Sequence, residues 1–368
     1  MNYKKLGDYI TQRREKNTTI NLPICGVCRE GLIPPKQQDA DISLYNVFYK
    51  NDFIFNPARM ELNSITLNTE YDKAICSSLY EIFYINDTSK LLPEFLFVQL
   101  KTDNFVRFCE FQGQGSVREY CRFANISEYP VIVPDLKEQQ KIVNTYNAIT
   151  KRIQLKQKIN ENLEKTAQCL FEKYYEKANL ENVVLSNLID VRDGTHDSPV
   201  FMTEGYPLVT SQNLTPFYIN KNETNKISET DYKKINERSL VETNDILMSM
   251  IGTVGNVSLV TDEEVTFAIK NVALLKTSKH TEYRNWILCF LKSHVFATWL
   301  NETLTGSTQQ YVSLGEIRKI TLKVLTISEL EKFNLSINKI INMIIEETAE
   351  LAKLQELKQL VISRISGI

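Results

Sequence analysis

The sequence predicts an α+β protein made of two copies of one unit, each with a globular part followed by one long helix. Three observations lead to this fold class. The chain matches itself at a nearly constant offset, short apolar segments alternate with turn residues, and each half closes with a helical pattern that lacks Gly and Pro before its end. A chain of 368 residues has room for two to three domains.

The composition is that of an ordinary globular chain. Hydrophobic residues make up 43% and charged residues 24%, which excludes a disordered or fibrous protein. Lys and Arg number 43 against 45 Asp and Glu, so any contact with nucleic acid must come from local patches of charge. The N-terminus has no apolar signal segment, no apolar run reaches about 18 residues, and the seven cysteines are scattered. We therefore expect a cytoplasmic protein with reduced cysteines.

The repeat consists of matched residues in the same order. At an offset of 191 residues Gly115 falls on Gly306, and further upstream, at an offset of 193, Asp52 falls on Asp245. Near the start the offset is 179, so the second copy contains about 14 extra residues. We place these extra residues in the polar region Asn220–Arg238.

The globular parts, residues 1–134 and 179–325, are predicted to be α+β. Segments such as Asp52–Phe55 are short, apolar and bounded by turn residues, which is typical of strands. One helix is predicted within each part, over Glu94–Phe108 and Asn285–Asn301.

Each copy then continues as one long helix, over residues 135–178 and 326–368. The starts, Asp135-x-x-Glu138 and Thr326-x-x-Glu329, have the spacing of capping boxes. Apolar residues follow at 4-3 spacing over four to five heptads, which is typical of a coiled coil. The alternative is a pair of amphipathic helices packed only on their own globular parts. The predicted coiled-coil core consists of Ile142, Ile149, Ile153, Lys156, Leu163 and Leu170 in the first helix and Ile337, Ile340, Ile344, Glu347, Leu354 and Val361 in the second.

No sequence pattern indicates catalysis. The chain has no phosphate-binding loop, and Asn56-Pro57-Ala58-Arg59 lacks the second Pro and the aromatic residue of the N-P-P-aromatic motif of amino-methyltransferases. Asp193–Pro199 holds a histidine, two aspartates and a serine within one loop, which indicates turn chemistry rather than a catalytic triad. Cys25 and Cys28 lack the further ligands of a zinc site. We expect a non-catalytic chain without a cofactor or metal of its own.

Polar loops are the remaining candidates for function. The loops Gln112–Tyr120 and Leu304–Tyr311 combine Gly, Ser and Gln, which allow close backbone approach and hydrogen bonds to base edges and phosphates. The alternative is that Gly-Ser only forms the turn, and for Tyr120 and Tyr311 we expect packing beneath the loop. The residues predicted to contact DNA are Lys36, Asn56, Arg59, Gln114, Ser116, Arg118, Thr195, Ser211, Gln212, Thr253, Ser307, Gln309 and Gln310.

Together these features resemble the specificity (S) subunits of type I restriction–modification systems. The resemblance covers nearly the whole chain and rests on Leu6–Ile10, Phe55–Met60, the Gly-Ser…Tyr loops, and Pro134 followed by Glu138-Gln139-Gln140 at the entry to the first helix. The second copy departs at the equivalent entry, Leu325–Leu330, where the Pro and the Glu-Gln pair are absent. The ordered combination, present twice, is the specific part of the match.

The resemblance implies two target recognition domains, each reading one half of a bipartite DNA sequence, and two helices packed as an antiparallel coiled coil. It implies double-stranded DNA, two methyltransferase (M) subunits and restriction/translocase (R) subunits as partners. S-adenosylmethionine for adenine methylation, and ATP and Mg for cleavage, belong to those partners. In this arrangement Lys156 and Glu347 meet and pair their charges. The alternatives are a coiled-coil scaffold without a DNA role and an enzyme whose active site the motifs do not reveal.

Overall fold

The chain folds into two compact units. The computed structural model describes residues 3–19, 21–29, 31–35, 41–113, 120–177, 180–305 and 310–367. Unit 1 comprises Met1–Ile153 and Leu354–Ile368, and unit 2 comprises Gln154–Lys353. Both long helices therefore contribute to both units. The predicted boundaries after residues 134, 178 and 325 separate globular parts from helices, and they stay a prediction.

Unit 1 consists of short strands and helices together with the start of one long helix and the end of the other. Its strands are β1 Lys4–Lys5, β2 Ile10–Arg13, β3 Ile24–Val27, β4 Leu32–Ile33, β5 Asn46–Tyr49, β6 Phe53–Phe55, β7 Ile65–Leu67, β8 Lys73–Cys76, β9 Glu81–Ile85 and β10 Pro130–Val131. Its helices are α1 Pro93–Gln99, α2 Asp103–Gly113, α3 Phe123–Ser127 and the first part of α4 Leu136–Tyr175.

Unit 2 repeats this order of elements. Its strands are β11 Glu181–Val184, β12 Val191–Asp193, β13 Tyr206–Val209, β14 Leu214–Thr215, β15 Tyr218–Ile219, β16 Asn225–Ile227, β17 Ile246–Ser249, β18 Val257–Leu259, β19 Ala268–Ile269, β20 Val272–Leu275 and β21 Thr321–Val324. Its helices are α5 Leu185–Leu188, α6 Glu229–Ser239, α7 Thr281–Leu291, α8 His294–Thr303, α9 Leu314–Arg318 and the first part of α10 Ile327–Gly367.

The main sheet has the same strand order in both units. In unit 1 the order is β2-β9-β6-β7 and in unit 2 it is β12-β20-β17-β18, with every neighbouring pair antiparallel. A second sheet in each unit contains one parallel pair, β3 with β8 and β13 with β19. The repeated α+β fold that the sequence predicts is confirmed.

The matched aspartates Asp52 and Asp245 occupy the same buried turn in the two units. Asp52 is 1% exposed and Asp245 is 0% exposed. Each carboxylate accepts a hydrogen bond from the backbone N–H three residues earlier, that of Tyr49 at 2.8 Å and that of Glu242 at 2.7 Å. The asparagine before each aspartate has a positive φ, 67° and 73°. A match in sequence thus corresponds to a match in backbone geometry.

In the described residues, α6 of unit 2 stands where unit 1 has a strand. α6 contacts β19, whereas the equivalent strand of unit 1, β8, pairs with β5. Ser228 begins α6, since its Oγ accepts a hydrogen bond from the N–H of Asp231 at 3.1 Å. α6 overlaps the region Asn220–Arg238, in which the sequence predicts the extra residues.

The prediction of a single helix within each globular part is wrong, because each part contains a pair of helices in that region. α1 is followed by α2, and α7 by α8. The hydroxyl of Thr102 accepts from the N–H of Phe105 at 3.2 Å, and the hydroxyl of Ser293 accepts from the N–H of Phe296 at 3.4 Å. These hydroxyls cap a new helix in each unit. Apolar spacing continues across the break and therefore does not reveal it.

The long helices begin at side-chain caps near the predicted positions. The N–H of Glu138 donates to Asp135 Oδ1 at 2.9 Å. At the second start the N–H of Thr326 donates to Glu329 Oε2 at 3.2 Å. Each start therefore uses one half of the predicted capping box. Within the described residues, no helix is both long and apolar enough to cross a membrane.

The helices α4 and α10 pack against each other in opposite directions, as predicted. In unit 2, Lys156 Nζ lies 2.8 Å from Glu347 Oε1. Further along α4, the ring of Tyr174 lies 5.5 Å from that of Phe333, which comes earlier in α10. Contacts that advance along one helix and retreat along the other establish an antiparallel pair. All twelve predicted core residues are buried or half-buried.

Both units also contain contacts between the long helices and a globular part. In unit 2 the ring of Phe171 on α4 is 4.7 Å from Trp286, and Phe333 on α10 is 5.1 Å from the same indole. In unit 1, Tyr146 of α4 and Ile362 of α10 share a buried cluster with α1. The long helices therefore pack against each other and also against the globular parts, so both predicted arrangements are present.

Candidate nucleic-acid interface

Seven of the thirteen residues predicted to contact DNA lie among the described residues. Those that lie outside them are Lys36, Gln114, Ser116, Arg118, Ser307 and Gln309. The described ones are Asn56 and Arg59 in unit 1 and Thr195, Ser211, Gln212, Thr253 and Gln310 in unit 2. Most of the described candidate residues therefore lie in unit 2.

In unit 1, Asn56 and Arg59 follow strand β6. Asn56 Oδ1 accepts a hydrogen bond from the N–H of Ala58 at 3.1 Å and starts the 3-10 helix Pro57–Leu62. Arg59 is exposed. The side chain of Asn56 thus stabilises its own turn, whereas the guanidinium of Arg59 is free to approach a phosphate.

In unit 2, the loop Gly194–Met202 is attached at both ends to the second sheet. The N–H of Thr195 donates to the carbonyl of Ile269, the last residue of β19, at 3.0 Å. A Cβ on Gly194 would lie 2.3 Å from that carbonyl oxygen, so glycine is needed for this close approach. At the other end, the N–H of Met202 donates to the edge strand β16 at 2.9 Å.

Ser211 and Gln212 lie at the same edge of the sheet as Thr195. They follow β13, which runs parallel to β19, so the carboxyl ends of both strands meet there. The N–H of Thr210 donates to Asn213 Oδ1 at 2.9 Å and closes a short 3-10 turn. Ser211 is half-buried and Gln212 is exposed. The fold therefore brings three predicted contacts to one edge.

Thr253 and Gln310 lie on a separate pair of segments in unit 2. The two segments are joined because Ile251 forms a backbone bridge with Tyr311. Thr253 and Gln310 are both exposed. Tyr311 is 46% exposed, so the expected packing of this ring beneath the loop is wrong. Its backbone also pairs with Thr305, and the main chain, rather than a buried ring, anchors this loop.

Beside the first loop, the described residues form a groove of about 350 Å³. One wall is Gly194–Pro199, and the other is one face of α6, which presents Asp231, Lys234 and Arg238 at helical spacing. Asp197 also lines the groove. The walls thus offer hydrogen-bond donors and acceptors together, as the edges of base pairs do.

His196 links the loop to α6. Its Nε2 lies 2.9 Å from Asp193 Oδ2 and its Nδ1 lies 2.8 Å from Asn271 Oδ1. Hydrogen bonds with Asn271 and Asp193 raise the pKa of His196 above its ordinary value. Asp193 is 4% exposed and also contacts Arg238 of α6. The hydrogen bonds at both ring nitrogens hold the loop in place, which agrees with turn chemistry.

Sequence reasoning missed an apolar patch and one cation at this surface. Val200, Phe201 and Met202 are 80%, 53% and 51% exposed. Lys234 is exposed on the face of α6 that lines the groove. The available signal was the uninterrupted apolar run that follows Pro199 within an otherwise polar loop. Scattered exposed apolar residues are common, but a contiguous set is not.

Comparison with known proteins gives one family and two informative relatives. Residues 32–165 match the family described as the type I restriction modification DNA specificity domain. The HindI specificity subunit of a type I restriction enzyme from Haemophilus influenzae is 25% identical over 111 residues, which is 30% of this chain and 24% of that protein. A crystal structure of a type I restriction-modification system S subunit from M. genitalium covers 99% of this chain and 95% of its own, with a TM-score of 0.57 and 12% identity.

These matches differ in what they establish. The family match covers most of the first globular part and continues into α4. The chain spans about a quarter of the length of the curated relative that it matches. The structural likeness extends over nearly the whole chain, and at 12% identity it establishes the fold.

Proposed function

Because this chain is a relative of the specificity (S) subunits of type I restriction–modification systems, we propose that it reads a bipartite DNA target, one half-site with each unit. In this role the chain carries out no chemical step. Two M subunits methylate adenine with S-adenosylmethionine, and R subunits cleave DNA with ATP and Mg. The chain determines the DNA sequence to which these partners are directed.

The repeated globular fold is the observation that carries the proposal. Both units have the same order of strands in the main sheet, and both contain the buried aspartate turn. They differ at the surface, since α6 takes the place of β5. A shared framework with different loops suits two half-sites of different sequence, because binding residues usually lie on loops positioned by a rigid scaffold.

We assign the recruitment of M subunits to the long helices. Their outer faces carry large apolar side chains, with Leu155 of α4 59% exposed and Leu335 and Leu360 of α10 74% and 59% exposed. We propose these side chains as contacts for the M subunits. Two repeats also provide two equivalent places for a partner.

Mapping of methylated adenines in the host tests the proposal. With the gene intact we expect methylation at a motif of two short sequences separated by a spacer, and deletion of the gene should abolish it. A motif that persists after the deletion, or one without a spacer, contradicts the proposed reading.

A gel-shift experiment separates the proposal from a scaffold without a DNA role. Random duplex pools are incubated with the chain alone and with the chain bound to its M subunit. A specificity subunit enriches one bipartite sequence, chiefly in the complex. A scaffold binds the M subunit and enriches no sequence.

A further inference from the structure

We propose that the loop Gly194–Met202 and the helix α6 form the surface with which unit 2 reads its half-site. In this surface Val200 and Phe201 pack against bases, and Lys234 contacts the phosphate backbone. The inference rests on the proposed function, because it takes duplex DNA as the ligand, and it adds the residues and the chemistry of the contact.

The first support is the contiguous set of apolar side chains. Val200, Phe201 and Met202 are all more than half exposed. The backbone that carries them is held at the sheet by hydrogen bonds at Thr195 on one side and at Met202 on the other. A pinned backbone that presents apolar groups to water carries a cost that is recovered when the groups bind a partner. Proteins that contact DNA use Phe and Met in this way, against thymine methyl groups or between base steps.

The second support is the set of cations along the groove and beside the loop. Lys234 is exposed on α6, and Lys270 Nζ lies 2.8 Å from Ser198 Oγ in the loop. Arg238 and His196 also line the groove, and both contact the buried carboxylate of Asp193. Positive groups beside apolar ones match duplex DNA, in which charged phosphates flank stacked bases. A protein partner would need no such arrangement of cations.

Two carboxylates, Asp197 and Asp231, line the groove with these cations. Asp231 Oδ2 accepts a hydrogen bond from Ser228 Oγ at 2.9 Å and belongs to the start of α6. A groove of purely positive lining would favour phosphate alone. The mixed lining favours the edge of a base pair, where carboxylates accept from cytosine N4 and cations donate to guanine.

Unit 1 has a different surface at the equivalent place. The described residues between β2 and β3 are Arg14–Thr19 and Asn21–Pro23, and among them only Leu22, which is half-buried, and Pro23 are apolar. β5 stands in the position of α6. Among the described residues of this loop in unit 1, none matches the run of three exposed side chains Val200–Met202, as expected for a surface that reads only one half-site.

The experiment uses the chain in complex with its M subunit and a duplex that carries the motif found by methylation mapping. Phe201→Ala should weaken binding at least 10-fold, which corresponds to about 1.4 kcal/mol. The loss should vanish on a duplex whose unit 2 half-site has been scrambled. Leu79→Ala, which removes a side chain 75% exposed in unit 1, is the control and should bind the unit 2 half-site normally.

Lys234→Ala tests the backbone contact. Removal of one phosphate contact should lower the slope of log K against log salt by about 0.9. Lys233→Ala is the matched control, since Lys233 is the adjacent residue of α6 and pairs with Glu229 at 2.7 Å, so the slope should not change.

The outcomes separate this inference from the proposed function. If the wild-type complex selects the motif and both Phe201→Ala and Lys234→Ala bind it as the wild type does, the inference is wrong and the proposed function stands. Loss of the M subunit from Phe201→Ala, measured by mass, or equal loss at both half-sites also overturns it. If the wild-type complex selects no sequence, the proposed function fails and the inference fails with it.

Discussion

At the midpoint of the long helices, Lys156 contacts two carboxylates where the sequence predicts one. Its Nζ lies 2.7 Å from Glu347 Oε2 and 2.6 Å from Glu350 Oε2. Hydrogen bonds with Glu347 and Glu350 raise the pKa of Lys156. The side chains of Lys156, Glu347 and Glu350 are 14%, 22% and 34% exposed. The amine is thus the most enclosed group of the three and holds the helices in register.

Lys156→Leu should lower the free energy of unfolding by about 1 kcal/mol or more, because it leaves two carboxylates facing an apolar side chain. Lys156→Leu with Glu347→Leu should recover part of the loss, since Glu350 can reach water. Urea unfolding of the four combinations measures the coupling. Lys158→Leu, at an exposed position two residues away, should change stability by less than about 0.5 kcal/mol. A double variant no better than Lys156→Leu would show that the pair does not set the register.

The matched aspartates of the two units are neutralised by different cations. Asp52 accepts two hydrogen bonds from the guanidinium of Arg13, at 2.6 and 3.1 Å. Asp245 instead accepts from Lys276 Nζ at 2.6 Å. Arg192 is the sequence match of Arg13, and it pairs with another residue, Asp190, at 2.6 Å. The turn is shared, but its counter-ion comes from a different strand in each unit.

Glu242 gives unit 2 a pH dependence of stability. Hydrogen bonds from Lys276 at 2.7 Å and Lys279 at 2.9 Å lower the pKa of Glu242 to about 2. A carboxyl with a lowered pKa contributes its full stabilisation above its unfolded pKa of about 4.5 and loses it as the pH falls toward 2.

Glu242→Gln should therefore be less stable than the wild type at pH 6, and the difference should shrink between pH 4.5 and pH 2. Solvent weakens the interaction, since Glu242 is 37% exposed, so we expect a modest difference. Urea unfolding at a series of pH values measures it. Glu237→Gln, at an exposed position of α6, is the control, and a difference between wild type and Glu242→Gln that does not vary with pH contradicts the assignment.

Among the secondary-structure elements, the long helices are the ones whose length we expect to set the distance between the two DNA half-sites. Ile149–Leu155 of α4 and Thr348–Leu354 of α10 are each seven residues long, so removal of both segments keeps the heptad phase of each helix. One heptad spans about 10.5 Å at 1.5 Å per residue, close to 3 base pairs at about 3.4 Å each.

Deletion of Ile149–Leu155 together with Thr348–Leu354 should shorten the spacer between half-sites by about 3 base pairs. The half-site sequences should not change, because the globular parts remain intact. Methylation mapping in the host measures the spacer length and the half-site sequences in one experiment. An active variant with an unchanged spacer shows that the helices do not set the distance. A deletion of one segment alone breaks the register and should be inactive.

On the scale of the whole molecule, the nearly balanced charge predicts that partner subunits supply part of the attraction to DNA. A formal net charge of −2 provides little attraction to phosphates over the whole chain. DNA affinity then depends on local groups such as those around the groove of unit 2. A partner with greater positive charge would supply the remaining attraction.

Co-expression with an M subunit should yield a complex of two M subunits per chain, since the two repeats offer two equivalent sites. Native mass measurement gives the ratio directly. The chain alone should bind its motif much more weakly than the complex does, and a steep salt dependence should appear only with the partner present. Full sequence-specific affinity of the lone chain for DNA would contradict this dependence on the partner.

The sequence by itself determined the repeat, the α+β class and the two long helices, which depend on periodicity and on local caps in neighbouring residues. The meeting of Lys156 with Glu347 followed from the antiparallel packing that the family resemblance implies. Only the tertiary structure decided the break between α1 and α2, the counter-ion of Asp245, and the groove between Gly194–Met202 and α6. Each of these depends on contacts between segments far apart in the chain, where backbone pairing and packing override local pattern. The exposed side chain of Phe201 shows the difference: its apolar character is visible in the sequence, but its exposure follows from hydrogen bonds that anchor the loop to distant strands.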